Sequence, residues 1–448
     1  MRRGLKKLKK HMSTTRVIAV SFALVILLGT LLLCLPVSSA EGVWTTPVNA
    51  LFTATTSTCV TGLVVENTGV YWSTFGQAVI LILLQIGGIG FMTILTLFSF
   101  FLRHQISLRD RHLLQQSAGS LDLRGTSATF RQIILGTLVI EGIGAWLLSL
   151  RFIPQYGKKG IWYAVFHSIS MFCNAGLDLL GAEGSSSFIL YRDDPLVSGT
   201  VMFLIVMGGL GFLVWDDLLR NLFRPRKLQL HTKLVLSITA ILILVGWVGI
   251  YLTERNASMA SLSEPQKLWA SLFQSVTTRT AGACTVDQAT LSESGSLLSM
   301  MLMFVGGSPG STAGGVKTTT FAVFLLCSWQ LARNREHVTV FKRRIDNRVV
   351  RQAGAVICFY MLAILLSTVI ICAIEPFGLR EVLYETVSAI ATVGLSMNLT
   401  PLLGTVSKLL LVLMMYAGRL GGLSIFLAMS ESEEQAPLER PVEKILIG

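Results

Sequence analysis

Four short stretches carry the residue types that could do chemistry. They are Cys59-Val60-Thr61-Gly62-Leu63, Cys173-Asn174-Ala175-Gly176-Leu177, Arg279-Thr280-Ala281-Gly282-Ala283 and Ala391-Thr392-Val393-Gly394-Leu395. In each, a small or β-branched residue precedes a glycine, and the glycines recur at a period of roughly 110 residues. What the stretches offer is backbone. Carbonyl oxygens can replace the water shell of a potassium ion when several strands point them inward, and glycine lets a strand take a conformation that other residues resist. Val60, Thr61, Gly62, Asn174, Ala175, Gly176, Thr280, Ala281, Gly282, Thr392, Val393 and Gly394 are therefore the candidate residues of an ion selectivity filter holding K+. An ordinary tight turn explains any one of them; four in register argue for a shared path.

A second set repeats farther on: Gly87-Gly88-Ile89-Gly90-Phe91, Gly208-Gly209-Leu210-Gly211-Phe212, Gly306-Gly307-Ser308-Pro309-Gly310 and Gly418-Arg419-Leu420-Gly421-Gly422. Small residues suit close helix packing in a membrane, and that reading covers most of them. The third and fourth copies depart from it. The third runs on as Gly306, Gly307, Ser308, Pro309, Gly310, Ser311, Thr312, Ala313, Gly314 and Gly315, which cannot continue a helix well, and Lys317 follows. It is expected to break the helix into a loop below the filter, a gate or a static kink. The fourth places Arg419 where a second glycine stands elsewhere. An arginine at membrane depth faces protein or water. There it either sets a barrier to cations or pairs structurally.

The elements that must position these residues follow from hydropathy. Hydrophobic residues make up 52% of the 448 and charged residues 14%, well under the roughly 25% of a soluble domain. Apolar runs lie near 17–36, 74–102, 132–152, 197–222, 233–252, 297–330, 352–374 and 405–429. Between the two runs of each pair lies a half-polar segment of a dozen or so residues, near 47–59, 161–173, 265–278 and 379–391, too short to span the roughly 30 Å of hydrocarbon. Irregular backbone at that depth is tolerated only inside protein or along a wet cavity. The fold class expected is an all-α polytopic membrane protein of four pseudo-symmetric helix–pore loop–helix repeats, with eight spans and four re-entrant pore helices. Its divisions are a basic tail at 1–16, repeats at 17–102, 129–222, 232–332 (with the intramembrane loop 306–315) and 350–429, and a tail at 430–448.

The net charge of +12 could suggest nucleic-acid binding. The cations instead sit in short blocks between apolar runs, as positive-inside loops do. That places both termini in the cytosol, the half-polar segments outside, and excludes a nucleic-acid partner. The run from Val17 to Leu35 is long enough to be a first membrane helix rather than a cleaved leader. The seven cysteines are scattered without a C-x-x-C pair and read as reduced packing residues. No acid–base pair or metal-ligand spacing stands at membrane depth, and His167 is alone, so an enzyme is not expected.

Several stretches carry a family resemblance: Gln85-Ile86-Gly87-Gly88-Ile89-Gly90-Phe91-Met92-Thr93, Gln274-Ser275-Val276-Thr277 before Arg279, Gly310-Ser311-Thr312 with Lys317-Thr318-Thr319-Thr320-Phe321, and Val340-Phe341-Lys342-Arg343-Arg344-Ile345. Thr392-Val393-Gly394-Leu395-Ser396-Met397 and the ending from Glu443 to Gly448 add to it. The chain closely resembles the KtrB-type membrane subunits of bacterial Ktr potassium uptake systems, in the wider superfamily of TrkH and plant HKT transporters. The resemblance covers nearly the whole chain. It implies potassium uptake through one pore per subunit of a homodimer in the bacterial plasma membrane, surrounded by lipid. It implies filter glycines at Gly62, Gly176, Gly282 and Gly394, with glycine at position 62 going with potassium over sodium. It makes the 306–315 loop the gate and Arg419 an electrostatic barrier. It also implies a cytosolic RCK-type (KtrA-like) nucleotide-binding ring, stimulation by Na+, and no organic cofactor in this chain. Ala283, Thr278, Pro309 and Ala313 depart from the family's usual residues, which touches selectivity and gate stiffness rather than ion class. A sodium or non-selective cation pathway on the same fold remains the alternative.

Overall fold

The structure is a computed structural model, and it describes residues 14–90, 126–184, 187–221, 225–335 and 337–421. The N-terminal basic residues, the end of the second apolar run with its cationic connection, and the C-terminal tail lie outside them.

Four long helices meet the length and apolarity needed to cross a bilayer: α1 (Thr14–Cys34), α4 (Thr126–Tyr156), α8 (Leu230–Glu254) and α12 (Asn347–Ile374). Only 22–28% of each apolar stretch is buried, and Leu28, Leu31, Leu366 and Val369 point outward. Apolar surface left out of the core on this scale is what lipid covers.

Each long helix is followed by a short one: α2 (Pro47–Thr58), α5 (Lys159–Phe172), α9 (Glu264–Thr277) and α13 (Leu379–Ala391). These are the half-polar segments, and their polarity has a local reason. Seven consecutive residues of α2 from Phe52 to Thr58 are buried, four of them threonine and one serine, because they face protein rather than lipid. Local chemistry sets the starts. Pro47 and Pro265 stand at the head of α2 and α9, where a missing N–H costs nothing. Gln266 Oε1 accepts the Ser263 N–H at 2.9 Å, a capping-box contact.

A second helix completes each unit: α3 (Thr74–Ile89), α6 (Pro195–Leu210) continued by α7 (Phe212–Asn221), α10 (Glu293–Phe304) continued after a loop by α11 (Thr318–Ala332), and α14 (Thr405–Leu420). Ser73, Asp194 and Ser292 cap three of them through side-chain oxygens. Each short helix packs on the long helix of its own unit, and each second helix on the short helix of the next: α3 on α5, α6 on α9, α10 on α13, and α14 back on α2. The four units thus close into a ring.

The expectation that only the third unit contains a broken helix is too narrow. α6 and α7 meet at 95° about Gly211. α3, α6 and α14 all end on a glycine with nearly one backbone conformation: Gly90 (φ 89°, ψ 130°), Gly211 (φ 94°, ψ 142°) and Gly421 (φ 81°, ψ 133°). Those positive φ values are open to glycine and strained for other residues. Among the described residues four helices are long, and α3, α6 and α14 each reach a glycine of positive φ at the C-terminal end; residues 91–125 and 422–448, into which the second and eighth expected spans run, lie outside the described residues. In α11–α12 the chain turns through a two-stranded hairpin, β1 (Thr339–Val340) and β2 (Arg343–Arg344).

Candidate functional site

The four glycine loops leave the C-terminal ends of the short helices and converge. Two residues before each glycine the backbone is left-handed: Val60 (φ 55°), Asn174 (58°), Thr280 (69°) and Thr392 (50°). The glycines follow at φ 95°, 64°, 73° and 90°. Three of the four non-glycine residues are β-branched, for which such a φ is a real outlier. Strain repeated at four equivalent places marks a site the rest of the fold enforces.

The loops touch in cyclic order. A Cβ added to Gly62 would strike the carbonyl of Ala175, one on Gly394 that of Thr61, one on Gly176 would lie 2.5 Å from the Ala281 oxygen, and one on Gly282 2.7 Å from that of Val393. Each glycine therefore faces the carbonyl preceding the next unit's glycine. The structure brings the four glycines and the residue before each of them together.

The short helices hold the loops in place. The N–H groups of Thr61, Ala175, Ala281 and Val393 donate to Thr56 O, Ser170 O, Thr277 O and Ser388 O at 2.8–3.0 Å. Side-chain hydroxyls finish the task in two ways. Thr56 Oγ1 and Ser388 Oγ accept from the N–H of Gly62 and Gly394 (2.9 and 3.0 Å). Ser170 Oγ instead donates to Leu177 O at 2.7 Å, and Thr277 Oγ1 donates to Ala283 O. Sequence reasoning missed these four hydroxyls, although a serine or threonine five or six residues before every glycine was there to be seen.

With nine of the twelve N–H groups spent on the short helices, the carbonyls remain. Among the described residues, none of the carbonyls of the twelve loop residues accepts a protein hydrogen bond. Buried backbone carbonyls are nearly always paired. The side-chain oxygens of Thr61, Asn174 (Oδ1), Thr280 and Thr392 are also buried without a partner. A ring of unmatched oxygens, with no donor aimed at it, suits a dehydrated cation.

On one side of the ring a cavity of about 250 Å³ opens, floored by the four glycines and lined by Val64, Asp178, Cys284, Gln288, Ser396 and Asn398 among others. On the other side lies the 306–315 loop. It is docked on the break in the second unit: Ser308 N–H donates to Gly209 O (3.0 Å), Thr312 N–H to Gly208 O (3.2 Å), and Phe212 N–H to Gly310 O (2.8 Å). Thr312 Oγ1 donates to Phe172 O and accepts from Asn174 Nδ2 (3.0 and 3.3 Å), which ties the loop directly to a glycine loop. Gly306 N–H to Val316 O (2.9 Å) pinches its base. Ser308 and Thr312 are fully buried. This loop interrupts the helix, as the Gly, Ser and Pro content predicts.

Arg419 reaches this loop from the fourth unit. Its guanidinium donates to Thr312 O, to Gly87 O, and to Gly88 O at 3.3 Å. No carboxylate pairs with it among the described residues. It joins the loop to the end of α3, a contact that sequence position alone did not supply. Lys317 Nζ donates to Ala313 O at 2.7 Å and lines a second cavity of about 230 Å³ with Thr319, Gln352 and Tyr360. The paired glycines behave as packing residues: a Cβ on Gly87, Gly208 or Gly418 would meet the carbonyl of Thr58, Phe172 or Ile390, at the end of the short helix of the same unit. His167 is structural, its Nδ1 against Tyr163 O (2.6 Å) and its Nε2 accepting the Leu179 N–H (3.2 Å). Two further buried groups, Glu141 and Arg279, were given no role from sequence. Gln85 links Glu141 (2.7 Å) to Cys173 (3.2 Å), and Arg279 touches Gly306 O (3.4 Å).

The TrkH family model, described as a cation transport protein, matches residues 4–440. The chain is 37% identical to the potassium/sodium uptake protein NtpJ of Enterococcus hirae over 452 residues, covering 99% of each. It is 36% identical to the Ktr system potassium uptake protein B of Bacillus subtilis, over 97% of this chain and 96% of the other. The fold resembles the crystal structure of the potassium transporter TrkH from Vibrio parahaemolyticus, with a TM-score of 0.69 at 16% identity over 92% of this chain and 85% of that one. These relatives are transporters, not enzymes. A match along nearly the full length, and the same fold, place this chain in the TrkH family of cation transport proteins.

Proposed function

We propose that the chain takes up potassium across the bacterial plasma membrane through a single central pore. The observation that carries this is the ring of backbone carbonyls without hydrogen-bond donors at Gly62, Gly176, Gly282 and Gly394. Each unit, with the boundaries expected from sequence, supplies a quarter of the wall. A potassium ion enters from the 250 Å³ vestibule, exchanges water for carbonyls, and meets the 306–315 loop, which with Arg419 and Lys317 is the gate. Arg419 adds a positive charge below the ring, where it raises the barrier to a cation. The protein works as a homodimer with a cytosolic RCK-type nucleotide-binding ring, is stimulated by Na+, and has both termini in the cytosol.

The direct test is rescue of a bacterium deficient in potassium uptake, at low external potassium, with and without the cytosolic partner. Growth restored by the chain supports the reading, and more so if the partner raises it. No rescue by a chain that reaches the membrane, with or without the partner, would overturn it. The name of the Enterococcus relative, a potassium/sodium uptake protein, favours keeping a second reading: a sodium or weakly selective pathway. Ion competition in reconstituted vesicles separates the two, because equal fluxes of Na+ and K+ would sink the selective version.

A further inference from the structure

We propose that Asp178 forms an outer cation site in the vestibule, where a potassium ion is held with its water before it enters the glycine ring. The inference rests on the reading of the four loops as a cation path and adds a step before it.

The position two residues after each glycine is Val64, Asp178, Cys284 or Ser396. All four line the 250 Å³ cavity above the ring. The level is built once per unit, and only the second unit puts a charge there. Asp178 is the sole charged residue among all those lining the cavity. The other polar groups, Asn67, Thr68, Ser187, Gln288, Ser396 and Asn398, are neutral. The space holds several water volumes of roughly 30 Å³ each, enough for an ion that keeps a shell. Such a wall concentrates cations without stripping them, as one fixed charge in a low-dielectric funnel does.

A structural role competes for this residue. Asp178 Oδ1 accepts the Leu180 N–H at 2.9 Å, at the head of the turn Leu180–Glu183. Asparagine caps as well as aspartate, so the turn accounts for an acceptor and not for a charge. Among the described residues no Lys, Arg or His nitrogen lies within 4.0 Å of it. The charge faces the vestibule without a counter-ion of its own.

The experiment is Rb+ influx into vesicles containing the full chain. Asp178→Asn keeps the acceptor and removes the charge. At low ionic strength it should raise the half-saturating external ion concentration about 3- to 10-fold with the maximal rate unchanged, and Asp178→Glu should restore it. The gap should narrow as an inert salt shortens the screening length toward about 3 Å at 1 M. Equal half-saturation in D178N and the unmodified chain would overturn the proposal. If D178N does not conduct, a half-saturating concentration in the unmodified chain that does not rise with inert salt overturns it on its own. Absence of any influx by the unmodified chain would remove the transport reading and this site together, whereas normal influx with no D178N effect removes only the site.

Discussion

The ring of Gly62, Gly176, Gly282 and Gly394 is made four times from one backbone conformation, whereas the level beneath it repeats in only three units and is broken by what the third and fourth add. At the ring, left-handed residues sit two places before glycines in all four loops, and each glycine faces the next unit's carbonyl. Beneath it, α3, α6 and α14 end at glycine, the third unit inserts the 306–315 loop, and the fourth contributes Arg419. Symmetry around an axis gives equal ligands on every side of one ion. An obstacle on that axis needs only one loop, and something to hold it. On the proposed function the two levels separate recognition from control, and each can be broken without the other.

The largest effects belong to the ring. Gly176→Ala and Gly282→Ala would place a Cβ 2.5 and 2.7 Å from a neighbouring carbonyl oxygen, at positive φ. Strain of about 1–3 kcal/mol, at 1.36 kcal/mol per tenfold in rate, predicts uptake lower by roughly 10- to 100-fold. Gly62→Ser should also weaken the preference for K+ over Na+. Rb+ uptake with Na+ competition, at matched membrane levels, measures both. Full rate and discrimination in any one of these variants would show that its loop is not where the ion is recognised.

The level beneath predicts the opposite sign. Removing residues 309–313 deletes the bonds to Gly208, Phe212 and Arg419, and flux should rise by about tenfold or more if those bonds, near 1 kcal/mol each, hold the path shut. Reduced or unchanged flux in a membrane-inserted deletion would refute the gate. Arg419 then divides charge from shape. Arg419→Gln removes both and should raise flux severalfold. Arg419→Lys keeps the charge but loses the planar fork that reaches Thr312, Gly87 and Gly88 at once. The ties predict that Lys behaves like Gln. A lysine variant that stays as tight as the native chain would mean that charge alone does the holding.

The same division explains what could be read from sequence. The glycine register, the short helices and the broken third helix are local properties. Gly176 needs positive φ wherever it stands, and a Gly-Ser-Pro run cannot stay helical in any context. The bend at Gly211 and the positive φ at Gly90 and Gly421 were hidden because a lone glycine inside an apolar run reads equally well as a packing site, which Gly87 and Gly208 in fact are. Thr312 and Arg419 are 107 residues apart in the chain, and no periodicity reports a contact of that kind. Glu141 was missed for a related reason. It sits in an apolar run, and its partner Gln85 lies 56 residues away.

The smallest predicted effect tests whether the ring's symmetry is one property or four. Thr56 and Ser388 accept from the N–H groups of Gly62 and Gly394, while Ser170 and Thr277 donate to the carbonyl one residue beyond the glycine. Two chemistries therefore maintain one backbone shape. Thr56→Val keeps the volume and leaves the Gly62 N–H unpaired, a loss of about 1 kcal/mol, so K+/Na+ discrimination should fall by roughly fivefold; Thr56→Ser should retain it. Ser388→Ala should act alike in the fourth loop. These loops are neighbours, because a Cβ on Gly394 would meet the Thr61 carbonyl. Groups in contact couple rather than add. The double variant T56V/S388A should therefore lose more discrimination than the two single losses combined. A strictly additive result, measured by Na+ competition against Rb+ influx, would mean that each short helix holds its own loop alone and that the ring is four independent turns rather than one structure.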